Sequence, residues 1–179
     1  YKCYNGNLLV HGGVPMNADG TFKVFNYEGT EYSGKALLDY CDRKVRDGYY
    51  ASENDPNRQR GQDFMWFLWC GKWAPTFARE KITTFERRFI ADKETWQEAR
   101  DPYYQITQTA EGCKIILHEF GLDDDFSHII NGHTPVKTTK GESPIRGEGK
   151  LFLIDGGFSK AYQKTTGIAG YSLIFNSHG

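Results

Sequence analysis

Ser127-His128-Ile129-Ile130-Asn131-Gly132-His133-Thr134-Pro135-Val136 is the stretch on which the fold turns. Ile129 and Ile130 are successive β-branched apolar residues, as in a strand covered on both faces. Asn131-Gly132 is a pair that tolerates positive φ, which predicts an abrupt end to that strand. Pro135 bars Thr134 from helical backbone, so the exit path is extended. The expected product is a core strand whose carboxyl end carries one imidazole, that of His133. Open α/β sheets keep their chemistry at such a rim.

A single histidine at a strand end is more often structural or solvated than functional. The pattern recurs, however, at Asn7-Leu8-Leu9-Val10-His11-Gly12-Gly13-Val14-Pro15. Again an apolar strand runs into histidine, then glycine, with a proline shortly after. His11 and His133 are far apart in sequence, so a shared site has to be made by folding. Two such units set a metal site level with a structural reading of the pair.

The bulk properties bound the rest. A chain of 179 residues builds one substantial core, and one domain is the expectation. With 39% hydrophobic and 25% charged residues the composition is that of an ordinary globular protein. A net charge of −1 offers no basic field for nucleic acid and no polybasic membrane anchor. The longest apolar stretch, 64–70, is too short to span a bilayer. The four cysteines, at positions 3, 41, 70 and 113, form no CxxC pair. That spacing excludes a zinc ribbon and argues against a disulfide scaffold, so free thiols in a reducing cytoplasm are expected. The chain opens at Tyr1 without methionine and stops just after the strand-like Tyr171-Ser-Leu-Ile-Phe-Asn. The expectation is a fragment of a longer polypeptide.

Along the chain, residues 3–10 read as the first strand. Residues 12–30 read as loop with a short hairpin punctuated by Gly20, Asn26 and Gly29. Ser33 is placed to cap a helix stopped at Gly48, and 51–62 is polar and turn-rich, hence a loop. Residues 62–73 gather Phe64, Trp66, Phe67, Leu68, Trp69 and Trp73, which fits a helix wedged between layers or an oligomer contact. The mixed charges of 79–100 read as a solvated face. A helix is expected over 110–120, closed by Gly121, with His118 exposed on it. Residues 137–150 form a Gly- and Lys-rich loop that lacks Walker A spacing. It offers Lys137, Arg146 and Lys150 to phosphate, or else is simply a solvated basic loop. Leu151-Phe-Leu-Ile-Asp155 is a further buried strand, and the last strand is expected over 168–176.

Three strand ends thus carry His11, His133 and Asp155. Imidazole with carboxylate suits Mn, Fe, Zn or Ni better than Mg or Ca. Strand-end ligands of this kind serve a two-metal hydrolase, whose remaining ligands are not found in the chain and should lie upstream. Asp155 has a plainer reading, a carboxylate that caps neighbouring backbone N–H groups in a turn.

The wording of the chain resembles a known family. Leu9-Val10-His11-Gly12-Gly13 followed by Gly132-His133 is similar to the second half of the calcineurin-like metallophosphoesterases. Longer phrases resemble the bacterial class III fructose-1,6-bisphosphatases within that superfamily. They are Leu-Trp-Cys-Gly-Lys at 68–72, Thr-Thr-Phe-Glu-Arg at 83–87, Asn-Gly-His-Thr-Pro-Val-Lys at 131–137 and Ile-Asp-Gly-Gly-Phe-Ser-Lys-Ala-Tyr at 154–162. The resemblance implies an α/β fold, a metallophosphoesterase β-sandwich flanked by helices. Residues 1–179 would be the C-terminal half of one catalytic domain, with a mostly helical insertion at 33–122. It implies metal-dependent hydrolysis of the 1-phosphate of fructose 1,6-bisphosphate to fructose 6-phosphate, a step of gluconeogenesis, by a dinuclear divalent centre of manganese. By motif, His11 and His133 carry over as ligands of one ion. The superfamily's upstream Asp-x-His, Gly-Asp-x-x-Asp and Gly-Asn-His-Glu are absent. The catalytic residues are therefore expected in the missing N-terminal half, and the isolated segment is expected to be inactive. The rival readings are a non-catalytic interaction fragment and a metallophosphatase for another phosphoester.

Overall fold

The computed structural model describes residues 1–174, which divide into two compact units: Tyr1–Gly12 together with Ile106 onward, and Gly13–Gln105. In chain order the elements are β1 (Lys2–Tyr4), β2 (Asn7–Val10), β3 (Phe25–Tyr27), β4 (Thr30–Tyr32), α1 (Gly34–Tyr50), α2 (Pro56–Cys70) and α3 (Thr84–Phe89). There follow α4 (Tyr103–Ile106), α5 (Ala110–Glu119), β5 (Ile129–Asn131), β6 (Ile145–Arg146), β7 (Leu151–Leu153) and α6 (Lys160–Thr166). Among the described residues, no helix is long and apolar enough to cross a membrane.

The first unit is built on a mixed five-stranded sheet in the order β1-β2-β5-β7-β6. The single strand expected over 3–10 is in fact a hairpin, because Asn5 (φ 48) and Gly6 (φ 70) form a two-residue turn with both φ positive. The three central strands are parallel, with Leu8 opposite Ile129, Val10 opposite Asn131, and Asn131 opposite Leu153. Parallel pairing in this register brings the carboxyl ends of β2, β5 and β7 to one rim. His11, His133 and Asp155 follow those ends.

One face of this sheet is a true core: Leu8, Val10, Ile129, Leu151 and Leu153 are at most 8% exposed. The other face, in the register Leu9–Ile130–Phe152, is only half-buried. The isoleucine run predicted cover on both faces; the described residues supply it fully on one. A cavity of about 440 Å³ lies over Leu9, Ile130 and Ile154.

Helix α5 matches the expected 110–120. Thr109 Oγ1 accepts from the Gly112 N–H (3.1 Å), and the helix is followed by Gly121 at φ 70. His118 is exposed on it, as expected, and its hydrogen bond to Asp123 (2.6 Å) raises its pKa. The 137–150 segment is not one loop, since β6 pairs antiparallel with β7 within it. Of the strand expected over 168–176, residues 168–174 show only an isolated bridge between Gly170 and Asp155. Phe175 and Asn176 lie outside the described residues.

In the second unit the expected hairpin is β3–β4, turned at Glu28 and Gly29 (φ 55 and 82). Helix α1 does not stop at Gly48, and the reason is packing. Gly48 and Gly61 face each other where α1 and α2 meet, and a Cβ on Gly61 would lie 2.4 Å from the Gly48 Cα. Gly61→Ala is therefore expected to lower the urea midpoint of the complete protein by the equivalent of about 1–3 kcal/mol, since neither backbone can yield.

The loop expected over 51–62 is overturned in its second half. Asp55 accepts from the Asn57 N–H (2.8 Å) and Pro56 occupies the first turn, a start signal for α2. On that helix Leu68 joins Leu37, Cys41, Ala74 and Phe77 in the core, with Tyr27, Phe64 and Phe67 packed against it. Trp66 and Trp69 face outward, 64% and 65% exposed, and meet edge-on at 4.9 Å. The compact unit to which these helices belong is Gly13–Gln105, and α5 lies in the unit that holds the five-stranded sheet.

Burial also sorts the thiols. It pushes Cys41 up to about 12 and Cys113 up to about 11, whereas Cys3 is exposed and Cys70 partly so. Native alkylation at pH 8 should label Cys3 and Cys70 within minutes, and Cys41 and Cys113 only on unfolding, as read by peptide mass mapping.

Candidate metal centre

His11 and His133 are brought together. The Nε2 of His11 and the Nδ1 of His133 stand 3.1 Å apart, with ring centroids at 4.9 Å and planes at 72°. The contact exists because β2 and β5 are adjacent and parallel, so their carboxyl ends share the rim.

The backbone that presents His133 is strained. The positive φ anticipated at Asn131-Gly132 falls on His133 itself, at φ 61. The Thr134 N–H donates to the Gly132 carbonyl at 2.6 Å, closing a three-residue turn with His133 at its centre. That hand of γ-turn is the rare and strained one, costing an L-residue about 1–2 kcal/mol. Strain retained at a rim histidine is the kind found at binding sites. The chain bends at Thr134 as well as at His133 before Pro135, so the exit expected to be extended turns over two residues.

Asn131 is the residue that sequence reasoning missed. It is fully buried, and its amide donates to the carbonyls of His11 (2.7 Å) and Gly12 (3.2 Å). Turning the amide over would set its oxygen against those carbonyls, so the orientation is determined by chemistry. Asn131 stitches the His11 turn to the end of β5. The signal was available: a polar side chain ending an otherwise apolar buried strand needs a buried partner.

The other candidates are placed differently. Asp155 Oδ1 accepts from the Gly157 N–H (2.8 Å), the capping role of its plainer reading. Its backbone carbonyl accepts from the Val136 N–H (2.8 Å), tying it to the segment that follows His133. Lys150 lies at the amino end of β7, away from the rim, with its ammonium on the carbonyls of Asp125 and Ser127. Arg146 pairs opposite Leu151 at that same end and contacts Glu142 at 3.7 Å. Lys137, next to Val136, is the one of the three that follows the rim. His128 stands at the amino end of β5, hydrogen-bonded to Asn7 Oδ1 (3.2 Å), and burial lowers its pKa. It is a neutral packing histidine.

The two imidazoles fit a shared ion. Two nitrogens about 2.1 Å from one metal, at octahedral to tetrahedral angles, stand about 3.0–3.4 Å apart. The separation of 3.1 Å is that of an imidazole–imidazole hydrogen bond, and it also lies in that range. No group of three or more His, Cys, Asp or Glu side chains that could hold a metal occurs among the described residues, and His11 and His133 stand as a pair without a third such side chain.

The comparisons with known proteins speak to the whole length. No solved structure matches the chain. It is 54% identical to the class 3 fructose-1,6-bisphosphatases of Alkaliphilus metalliredigens and Clostridium tetani, and 51% identical to that of Bacteroides fragilis. Each match covers 100% of this chain and 27% of the relative, so the chain spans about a quarter of the length of these proteins. The family described as Firmicute fructose-1,6-bisphosphatase matches residues 1–179. The chain belongs to that family.

Proposed function

We propose that the complete protein hydrolyses the 1-phosphate of fructose 1,6-bisphosphate to fructose 6-phosphate in the cytoplasm. In this reading the present segment contributes His11 and His133 to one ion of a dinuclear manganese centre. The observation that carries it is the convergence of His11 Nε2 and His133 Nδ1 at 3.1 Å on the rim of a parallel sheet. Relatives named as fructose-1,6-bisphosphatases support the substrate. The sheet would be one layer of a metallophosphoesterase sandwich, the half-open Leu9–Ile130–Phe152 face packing against the rest of the domain.

When bound, the ions would supply a hydroxide at neutral pH and neutralise charge on the phosphoryl group. The residues of this segment hold and orient. His11 offers Nε2 and His133 Nδ1 as donors. The Asn131 amide fixes the His11 backbone, and the Gly132–Thr134 turn fixes the direction of His133. Lys137 offers a positive charge to substrate phosphate. The bridging carboxylate and the proton donor to the leaving sugar oxygen are assigned to the remaining polypeptide, so this segment alone turns over nothing.

The test is metal analysis of the complete protein, followed by turnover of fructose 1,6-bisphosphate and of a phosphoserine peptide. Two transition-metal ions per chain and turnover of the sugar bisphosphate alone are expected. A protein that holds no metal and releases no phosphate from either would overturn the reading.

A further inference from the structure

We infer that the cavity beside His133 receives the sugar ring of the substrate, and that Phe158 and Tyr162 set the preference for a sugar phosphate over other phosphoesters. This deepens the phosphatase reading above and rests on it.

The cavity is about 400 Å³ and is lined by His133, Pro135, Asp155, Phe158, Ser159 and Tyr162. That volume lies towards the lower end of ligand pockets, suiting a single ring rather than an extended peptide. One candidate metal ligand, His133, therefore opens directly onto it.

The turn that carries the aromatic residues is held by its backbone. Phe158 and Tyr162 are 79% and 64% exposed in this segment and both line the cavity. Their segment is pinned by the Asp155 Oδ1 bond to the Gly157 N–H, and Gly157 takes φ 86. A Cβ at Gly157 would come within 3.0 Å of the Tyr162 Cβ, so glycine lets the turn close on the aromatic side chain. The Val136 N–H bond to the Asp155 carbonyl fastens this turn to the segment that follows His133. The turn that leads into Phe158 is thus tied by a backbone hydrogen bond to the segment that follows His133.

The lining matches the chemistry of a sugar. A furanose shows C–H faces that pack on aromatic rings, and hydroxyls at its edge that need polar partners. Phe158 and Tyr162 supply the first, and the Asp155 carboxylate and Ser159 hydroxyl the second. No lysine or arginine lines the cavity among the described residues, so it suits the neutral ring and not the second phosphate.

The experiment uses the complete protein with Phe158→Ala, Phe158→Leu and Tyr162→Ala, assayed on fructose 1,6-bisphosphate and on acetyl phosphate. Acetyl phosphate carries the phosphoryl group and no ring. For the two alanine variants kcat/KM on the sugar bisphosphate should fall about tenfold or more, mainly through KM, while acetyl phosphate changes less than about threefold. Phe158→Leu should lose less, because apolar surface remains. Equal losses on both substrates, or no loss on either, would overturn the inference and leave the phosphatase reading standing. A wild-type protein active on acetyl phosphate and inert on the sugar bisphosphate would also overturn it. A wild-type protein inert on both removes the phosphatase reading, and the cavity assignment with it.

Discussion

His133→Gly is expected to raise the stability of the metal-free protein while removing one metal ion per chain and nearly all phosphatase activity. The two effects have opposite signs because the residue serves two masters. Its φ of 61 costs an L-residue about 1–2 kcal/mol, and glycine adopts that conformation freely. Part of the gain is offset by the greater freedom of glycine in the unfolded chain, leaving up to about 1 kcal/mol. Activity should fall by about a thousandfold or more, since losing a ligand costs more than the 10–100-fold typical of its supporting hydrogen bonds. His133→Ala separates the terms: it loses the ion without the gain, because alanine is strained in the same turn. Urea melts in chelator and metal analysis of the three proteins check this. Unchanged metal content in His133→Gly would make the histidine structural.

Asn131→Ala is expected to cost about 2–3 kcal/mol and to weaken metal binding about 10–100-fold. The side chain is fully buried and satisfies two carbonyls, those of His11 and Gly12. Alanine leaves both unpaired beside a small void. Asn131→Asp should be worse, since a carboxylate would face the same two carbonyl oxygens. Denaturant midpoints and metal dissociation constants measured side by side distinguish the roles. A drop in stability with unaltered metal affinity would reduce Asn131 to a stitch between strands.

The core strands β2, β5 and β7 and the histidine that follows each of the first two were legible in the sequence because each rests on local pattern: apolar runs ended by glycine or proline. That His11 and His133 would meet was a matter of strand adjacency, which no local pattern encodes, and it became an expectation only through repetition and resemblance. Asn5-Gly6 and Asp55-Pro56 were legible too, as a hairpin turn and a helix start, and were hidden inside segments read as uniform. Gly48 misled for a physical reason. A glycine near a helix end signals a stop, but here it serves a close helix crossing with Gly61, a tertiary demand. Lys150 looked like a phosphate ligand by charge, yet its ammonium is taken up by backbone carbonyls at the wrong end of its strand. Charge alone does not tell which end of a strand a side chain occupies.

The parallel pairing of β2 with β5 has a consequence for the order of folding. Between Val10 and Ile129 the chain builds a whole compact unit, Gly13–Gln105, before it returns to the sheet. Closing so long an excursion delays that pairing relative to the local hairpins and helices. The two imidazoles face each other only once it is made. Metal capture during refolding should therefore lag the recovery of helical signal, and the ion would time the last long-range step of the chain.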